Sequence, residues 1–461
     1  MTPPAGTLAV VLHTHMPYVE GFGTWPFGEE WLWEAVATSY LPLLDLLDDG
    51  APVTLSVTPV LADQLEAPGA AARLRAFLAD LRSETHRRDL AAAPPELRGA
   101  LEASAAGYAR ALERLDARGG DLVRALAPHA AWTSAATHAI LPLVATDAGV
   151  RLQLATGIAA HRVRFEATRS WRGGLWLPEC AHAPWLDPLL EEAGVHATCV
   201  DCTDVLGLGD ERQLRPLRSA AGPLLVPIDR ATIELVWGAD GYPAHAAYRD
   251  YHRHTAHRHR AWANDGTPYD PARADAQVRA DAADFVARCA RRARDGGLVV
   301  CALDTELLGH WWHEGPAWLR AVVEAAADAG LRMLCLDDAL AEAAVADLGT
   351  GYDRTTSWGT PRDLSTWSGP QVADLAAGAR DAELRVLAAG AAAPDRALRE
   401  LLALQSSDWA FLATHGTAGP YPRERAAGHR AALDAALAGG AREQRVRNLA
   451  PYLDRAALLA A

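Results

Sequence analysis

The sequence predicts a barrel-like α/β domain carrying a helical insertion, followed by an all-helical C-terminal domain. Three observations predict it. Short apolar runs alternate with helical stretches over the first three quarters of the 461 residues, the order expected of parallel strands joined by crossover helices. From Ala67 to Ala127 the chain is rich in Ala, Leu and Arg at helical spacing, over a stretch too long for one crossover. Beyond Gln371 only helical periodicity is left. The expected division is a barrel at 1–345, interrupted by the insertion at 67–127, and a helical domain at 346–461.

Each strand is an apolar run that stops on a polar residue or a turn former. In order they are Leu8–His13, Val53–Thr58, Trp132–Thr137, Gly174–Leu177, Val195–Val200, Leu224–Pro227, Leu298–Leu303 and Leu331–Leu336. His245 to Arg260 holds five His and four Arg, and its spacing fits a solvated helix face. Gly349 to Pro370 turns to Gly, Thr, Ser, Trp and Pro and reads as an irregular connection. The closing helices are expected at Val372–Leu387, Asp395–Leu404, Arg423–Ala438 and Arg442–Leu459.

Composition removes several classes of chemistry. The chain has no Lys, so all 44 of its cations are Arg. Schiff-base and pyridoxal phosphate enzymes, P-loop NTPases and Lys-carbamate metal sites are therefore excluded. The net charge of −14 argues against a nucleic-acid partner or an anionic membrane. No apolar run is long enough to span a bilayer and no basic leader precedes one, so a cytoplasmic location is expected. Six Cys in a chain this long are not a disulfide framework, and Cys199 and Cys202 read as buried thiols. Trp outnumbers Phe by 15 to 6, which points either to flat stacking platforms for sugar rings or to a Trp-rich core.

In a parallel barrel, chemistry gathers where strands end. Three strand ends stand out. His13 and His15 close the first, and their i, i+2 spacing places them on one face. They could contact substrate hydroxyls, orient a carboxylate, pack structurally or bind a metal. Trp176-Leu-Pro-Glu179 closes the fourth, with Pro178 stiffening the backbone before the acid. Asp304 closes the strand at Leu298–Leu303 and leads into a loop containing His310, Trp311, Trp312 and His313; Glu306 and Glu314 are rival acids. Glu179 and Asp304 give two carboxylates on different strand ends in a Trp-rich setting, the minimum equipment of a glycosidase.

With those segments in view, the chain resembles glycoside hydrolase family 57, and within it the 1,4-α-glucan branching enzymes. The resemblance is carried by His13/His15-Met-Pro, Glu34 to Leu44, Thr133 to His138, Leu175 to Cys180, Val236-Trp237 with Gly241-Tyr-Pro243, and Asp304 to Trp312. Ser357-Trp358, Ser365-Thr-Trp367, Ser407-Asp408-Trp-Ala-Phe411 and Ala418 to Tyr421 complete it. It implies an incomplete (β/α)7 barrel, a retaining mechanism, and an α-1,4-glucan substrate in glycogen metabolism. Glu179 would be the nucleophile and Asp304 the acid/base. His13, His15 and His138 would line the donor site, with Trp237, Trp358 and Trp367 as aromatic walls and Asp408 reaching in from the helical domain. Trp176 and His310 fall in the same motifs. No metal or organic cofactor is implied, and a monomer or weak homo-oligomer is expected.

Two positions depart from the family pattern. Thr203 to Leu225 carries no Tyr to cover the site, and Ile228 stands where the family tends to place an Arg, with Arg230 as a possible substitute. A lid that excludes water favours transfer over hydrolysis. Three readings therefore stand: an α-glucan transferase or amylase-like hydrolase, a glucan-binding protein without turnover, and a metal hydrolase built on His13 and His15.

Overall fold

The computed structural model describes residues 6–23, 27–219, 222–347, 354–440 and 447–459; Trp25, read from sequence as scaffold, lies outside them. Ten strands follow in chain order: β1 Thr7–Thr14, β2 Val53–Val57, β3 Ala130–Ser134, β4 Leu175–Trp176, β5 Ala197–Val200, β6 Leu217–Arg218, β7 Leu224–Pro227, β8 Leu298–Asp304, β9 Arg332–Met333 and β10 Ala346–Asp347. Seven of them make the barrel wall. The order β8-β1-β2-β3-β4 is parallel throughout. A parallel bridge from Gly174 to Ala197 carries it on to β5, which pairs with β7. No ladder joins β7 to β8 among the described residues; one hydrogen bond from Asp229 N to Val300 O (2.8 Å) spans the seam. The curled half-barrel is the incomplete (β/α)7 wall that the family resemblance implied.

β1 sits in mid-sheet, and Leu8 to Leu12 are at most 1% exposed. A strand covered by helices outside and core inside must be apolar on both faces, which is why these segments read as unbroken apolar runs rather than alternating ones. Helices from Ala70 to Leu126 fill the insertion between β2 and β3. The C-terminal domain packs helices Ala373–Ala389, Asp395–Leu404, Ser407–His415 and Tyr421–Leu437 around Val386, Leu398, Leu401, Leu402 and Leu433. It is fastened to the barrel mouth where Thr137 Oγ1 donates to Leu402 O (2.6 Å) and Ser407 N donates to His138 O (3.2 Å).

Three expectations change. The strand at Leu331–Leu336 shrinks to β9, because a helix begins at Leu336 with Asp337 and Asp338 in its first turn, where acids favour helix initiation. His245 to Arg260 is irregular chain rather than a solvated helix; Tyr248, Arg249 and His259 are buried in it, and aromatic packing overrides its helical spacing. Arg442–Leu459 is helical only at Ala456–Leu459 within the described residues. Residues 447–455 instead form bends and turns against the barrel, with Asn448 N donating to Glu20 (3.0 Å) and Ala450 N to Asp63 (2.7 Å). All six cysteines are free thiols.

Candidate active site

The pairing of β1 with β8 sets His13 beside Asp304. Strand alternation then turns His15 the same way as His13, with ring centroids 6.0 Å apart and nearly parallel. His138 follows β3 in a left-handed backbone (φ 59°), and its ring stacks on His13 at 5.0 Å and on His15 at 4.0 Å. His13 Nε2 and His138 Nε2 share a hydrogen bond of 2.9 Å, and His138 Nδ1 meets Ser407 Oγ at 2.8 Å. His15 Nε2 donates to Asp408 at 3.0 Å. The helical domain thus supplies both Ser407 and Asp408 to the histidine stack.

One charge suits this stack. Burial, reinforced by the neighbouring His15, holds His13 and His138 well below the ordinary histidine range. Burial also presses His15 down, but Asp408, with Glu306 and Glu179 beyond it, outweighs that and raises it. Of the three rings, His15 is the one whose surroundings favour a proton.

Glu179 follows β4 on a tight turn after Pro178, with φ 59° at Glu179 and 48° at Cys180. Two consecutive non-glycine residues in the left-handed region cost about 1 kcal/mol or more each. The turn is held from outside: Trp358 N donates to Glu179 O (3.0 Å), and Trp358 Nε1 donates to the Glu179 carboxylate (2.9 Å). Burial raises Glu179 to about 7 against the lowering effect of Trp358 and His15. Asp304 is pushed well above the usual carboxylate range by burial and by the charges of Glu179 and Glu306. The two acids therefore sit in unlike settings: burial and neighbouring acids favour the protonated form of Asp304, while a donor and His15 beside Glu179 favour its ionised form.

Glu306, on the turn after β8, was only a rival acid in the sequence, but the structure gives it a place. It accepts from His15 N (3.2 Å) and from the Tyr40 hydroxyl. Burial raises it to about 7, with the Tyr40 bond opposing. Tyr40 closes a π-helical turn, Val36–Tyr40, a distortion frequent near functional sites and one that no spacing in the sequence announces.

A cleft of about 1460 Å³ opens over these groups. His13, His15, His138, Glu179, Trp237, Asp304, Glu306, His310, Trp358 and Asp408 line it. Trp237, 42% exposed, stacks with Trp311 at 5.8 Å. Trp358 meets Trp176 edge-on at 5.0 Å. Trp176 itself is buried behind His13 (4.9 Å) and backs the site rather than facing it. Trp367 is not brought to the cleft: it is 3% exposed in an apolar cluster with Ile140, Ala181 and Val372, where it fills the joint between the barrel and the helical domain. Ile228 is wholly buried, and Arg230 reaches the cleft instead, bonded to the Asp201 carboxylate and Trp358 O.

Among its described residues, the segment after β5 does not form a cover. It folds into short helices at Thr203–Leu206 and Glu211–Leu214, then β6, which pairs back onto β7. None of its described residues lines the cleft. His15, His138 and Asp408 each offer a ligand atom, all within 4.8 Å of one another, a different trio from the metal pair read in the sequence. Those atoms already bond to one another, to His13 and to Ser407.

Comparison with known proteins accords with this geometry. The family description "Glycosyl hydrolase family 57" matches residues 131–348, and "1,4-alpha-glucan branching enzyme, C-terminal" matches 372–454. A protein of Mycobacterium tuberculosis named as a probable 1,4-alpha-glucan branching enzyme is 33% identical over 99% of this chain and 96% of its own length. A 1,4-alpha-glucan branching enzyme of Thermococcus kodakarensis is 32% identical, covering 91% of this chain and 71% of that protein. The crystal structure of a family 57 branching enzyme from Pyrococcus horikoshii superposes with a TM-score of 0.89 at 29% identity, covering 99% of this chain and 97% of that one. With a third of its residues shared along nearly the whole length of such a relative, the chain belongs to glycosyl hydrolase family 57.

Proposed function

We propose that the protein is a 1,4-α-glucan branching enzyme of glycogen metabolism, acting with retention. The observation that carries the reading is the pair of unlike carboxylates, Glu179 and Asp304, at the floor of a Trp-walled cleft that the helical domain completes with Asp408. Asp304 protonates the glycosidic oxygen of an α-1,4-glucan while Glu179 attacks the anomeric carbon. The reducing-end fragment leaves, and a glucosyl ester forms on Glu179. Asp304, now ionised, takes the proton of an acceptor 6-hydroxyl, whose oxygen displaces Glu179 and forms the α-1,6 linkage. The His13–His15–His138 stack holds the donor sugar, and cationic His15 favours the ionised form of Glu179.

Linkage analysis of amylose incubated with the wild type and with Glu179→Gln tests this. New α-1,6 linkages without a rise in reducing ends are expected from the wild type and none from the variant. Absence of both products from the wild type would refute it. One observation favours a second reading, an amylase-like hydrolase: residues 203–219 and 222–225 place nothing over the cleft, so water has access to the ester. Reducing ends rising without branches would select it.

A further inference from the structure

The cleft runs on from its catalytic floor, between the insertion and the irregular segment before Trp262. In a chain of net charge −14 this arm is cationic. Arg110 of the insertion, Arg249 and Arg260 all line it and all act on His313. None of the three forms an ion pair with a carboxylate among the described residues. Arg249 lies over the Tyr269 ring at 4.1 Å and Arg260 over Tyr251 at 4.0 Å. Arg260 Nη1 also donates to His310 O (2.8 Å). Arg249 is more than nine-tenths buried, and its Nε–H has no acceptor. Glu314 accepts the Arg249 backbone N–H (3.2 Å) and is itself raised by burial. Glu34, on the facing wall, is already spent on Arg82 (3.3 Å). Burial and Arg260 hold His310 at about 3, so this wall meets a ligand with neutral imidazole and fixed guanidinium charge.

We propose that this arm binds a saccharide bearing a phosphate monoester, with Arg110, Arg249 and Arg260 around the phosphate. The ligand is a saccharide because the arm opens directly from the sugar cleft at the stacked Trp237–Trp311 pair. The anion is a phosphate because forked guanidiniums lining one arm of the cleft from the insertion and from the irregular segment match a group with several equivalent oxygens and close to two charges. A single carboxylate would leave part of that charge unanswered. The proposal rests on the saccharide reading of the cleft but does not require the transfer reaction.

Calorimetric titration of the full-length Glu179→Gln protein tests it, using a dextrin carrying glucosyl 6-phosphate and the same dextrin after phosphatase treatment. The phosphorylated form is expected to bind about tenfold more tightly, and the advantage is expected to vanish in about 0.5 M salt. Arg110→Gln and Arg260→Gln, each checked by thermal melting, are expected to abolish most of the advantage. Binding of the dephosphorylated dextrin by Arg110→Gln stays within about twofold of its parent, as expected for loss of an exposed phosphate contact. Competition by glucose 6-phosphate, and not by glucose, would place free sugar phosphates among the ligands. Its failure, with the dextrin preference intact, would place the phosphate on polymer alone; both outcomes support the site. Equal affinity for the two dextrins, without competition by glucose 6-phosphate, overturns it. A wild type that makes no α-1,6 linkages yet prefers phosphodextrin would sink only the branching reading.

Discussion

Glu179 concentrates the cost of this site: a left-handed backbone and a carboxyl buried where its charge is poorly solvated. Its folded value, about 7, lies above that of the unfolded chain, so between the two the folded state holds a proton that the unfolded state has released. Stability attributable to this group is therefore lost as pH rises through that window. Gln bears no such cost. Glu179→Gln is expected to be more stable than the wild type at pH 8, by about 3 kcal/mol, and nearly equal at pH 4; identical differences in melting at the two pH values would contradict this. The same ionisation should give kcat/KM an ascending limb near pH 7, and Glu179→Gln and Asp304→Asn should each lose activity by about a thousandfold or more. Glu306→Gln removes one of the charges that raise Asp304. Its expected signature is a descending limb moved to lower pH, which a merely structural lesion would not produce.

At the scale of elements, the turn after β8 is held to the π-helical turn not only by side-chain bonds but by a close backbone approach. Gly309 has φ 108°, and a Cβ there would lie 1.8 Å from Thr38 O in the π-helical turn that bears Tyr40. Gly309→Ala is expected to destabilise the fold by about 2–4 kcal/mol, read as a fall in the denaturant midpoint; an unchanged midpoint would show that the two turns are not locked. The strand ends carrying His13, Glu179 and Asp304 were legible because a buried apolar run that stops on a polar side chain is a local signal. Tyr40 was not, since a π-turn has no periodicity of its own. Trp367 misled for the opposite reason: a Trp beside a motif looks alike whether it faces sugar or fills a joint, and only the packing of Ile140 and Val372 decides. The segment from His245 to Arg260 shows the same limit, its helical spacing being overridden by the burial of Tyr248 and Arg249.

At the scale of the molecule, the site belongs to neither domain. The barrel brings the stack of three histidines and the acids Glu179, Asp304 and Glu306, and the helical domain brings the carboxylate that raises one of those histidines. Asp408→Asn is expected to lower kcat/KM about 10- to 100-fold, the worth of a charged hydrogen bond, with little change in melting temperature; a collapse of stability instead would mark Asp408 as a fastener. The general layout of barrel, insertion and helical cap could be read from periodicity, but this division of labour could not, because Asp408 and His15 are 393 residues apart. That separation has a consequence in time. Until residue 408 is made and the cap docks, His15 lacks the carboxylate that raises it, so the histidine stack is among the last parts of the fold to be completed.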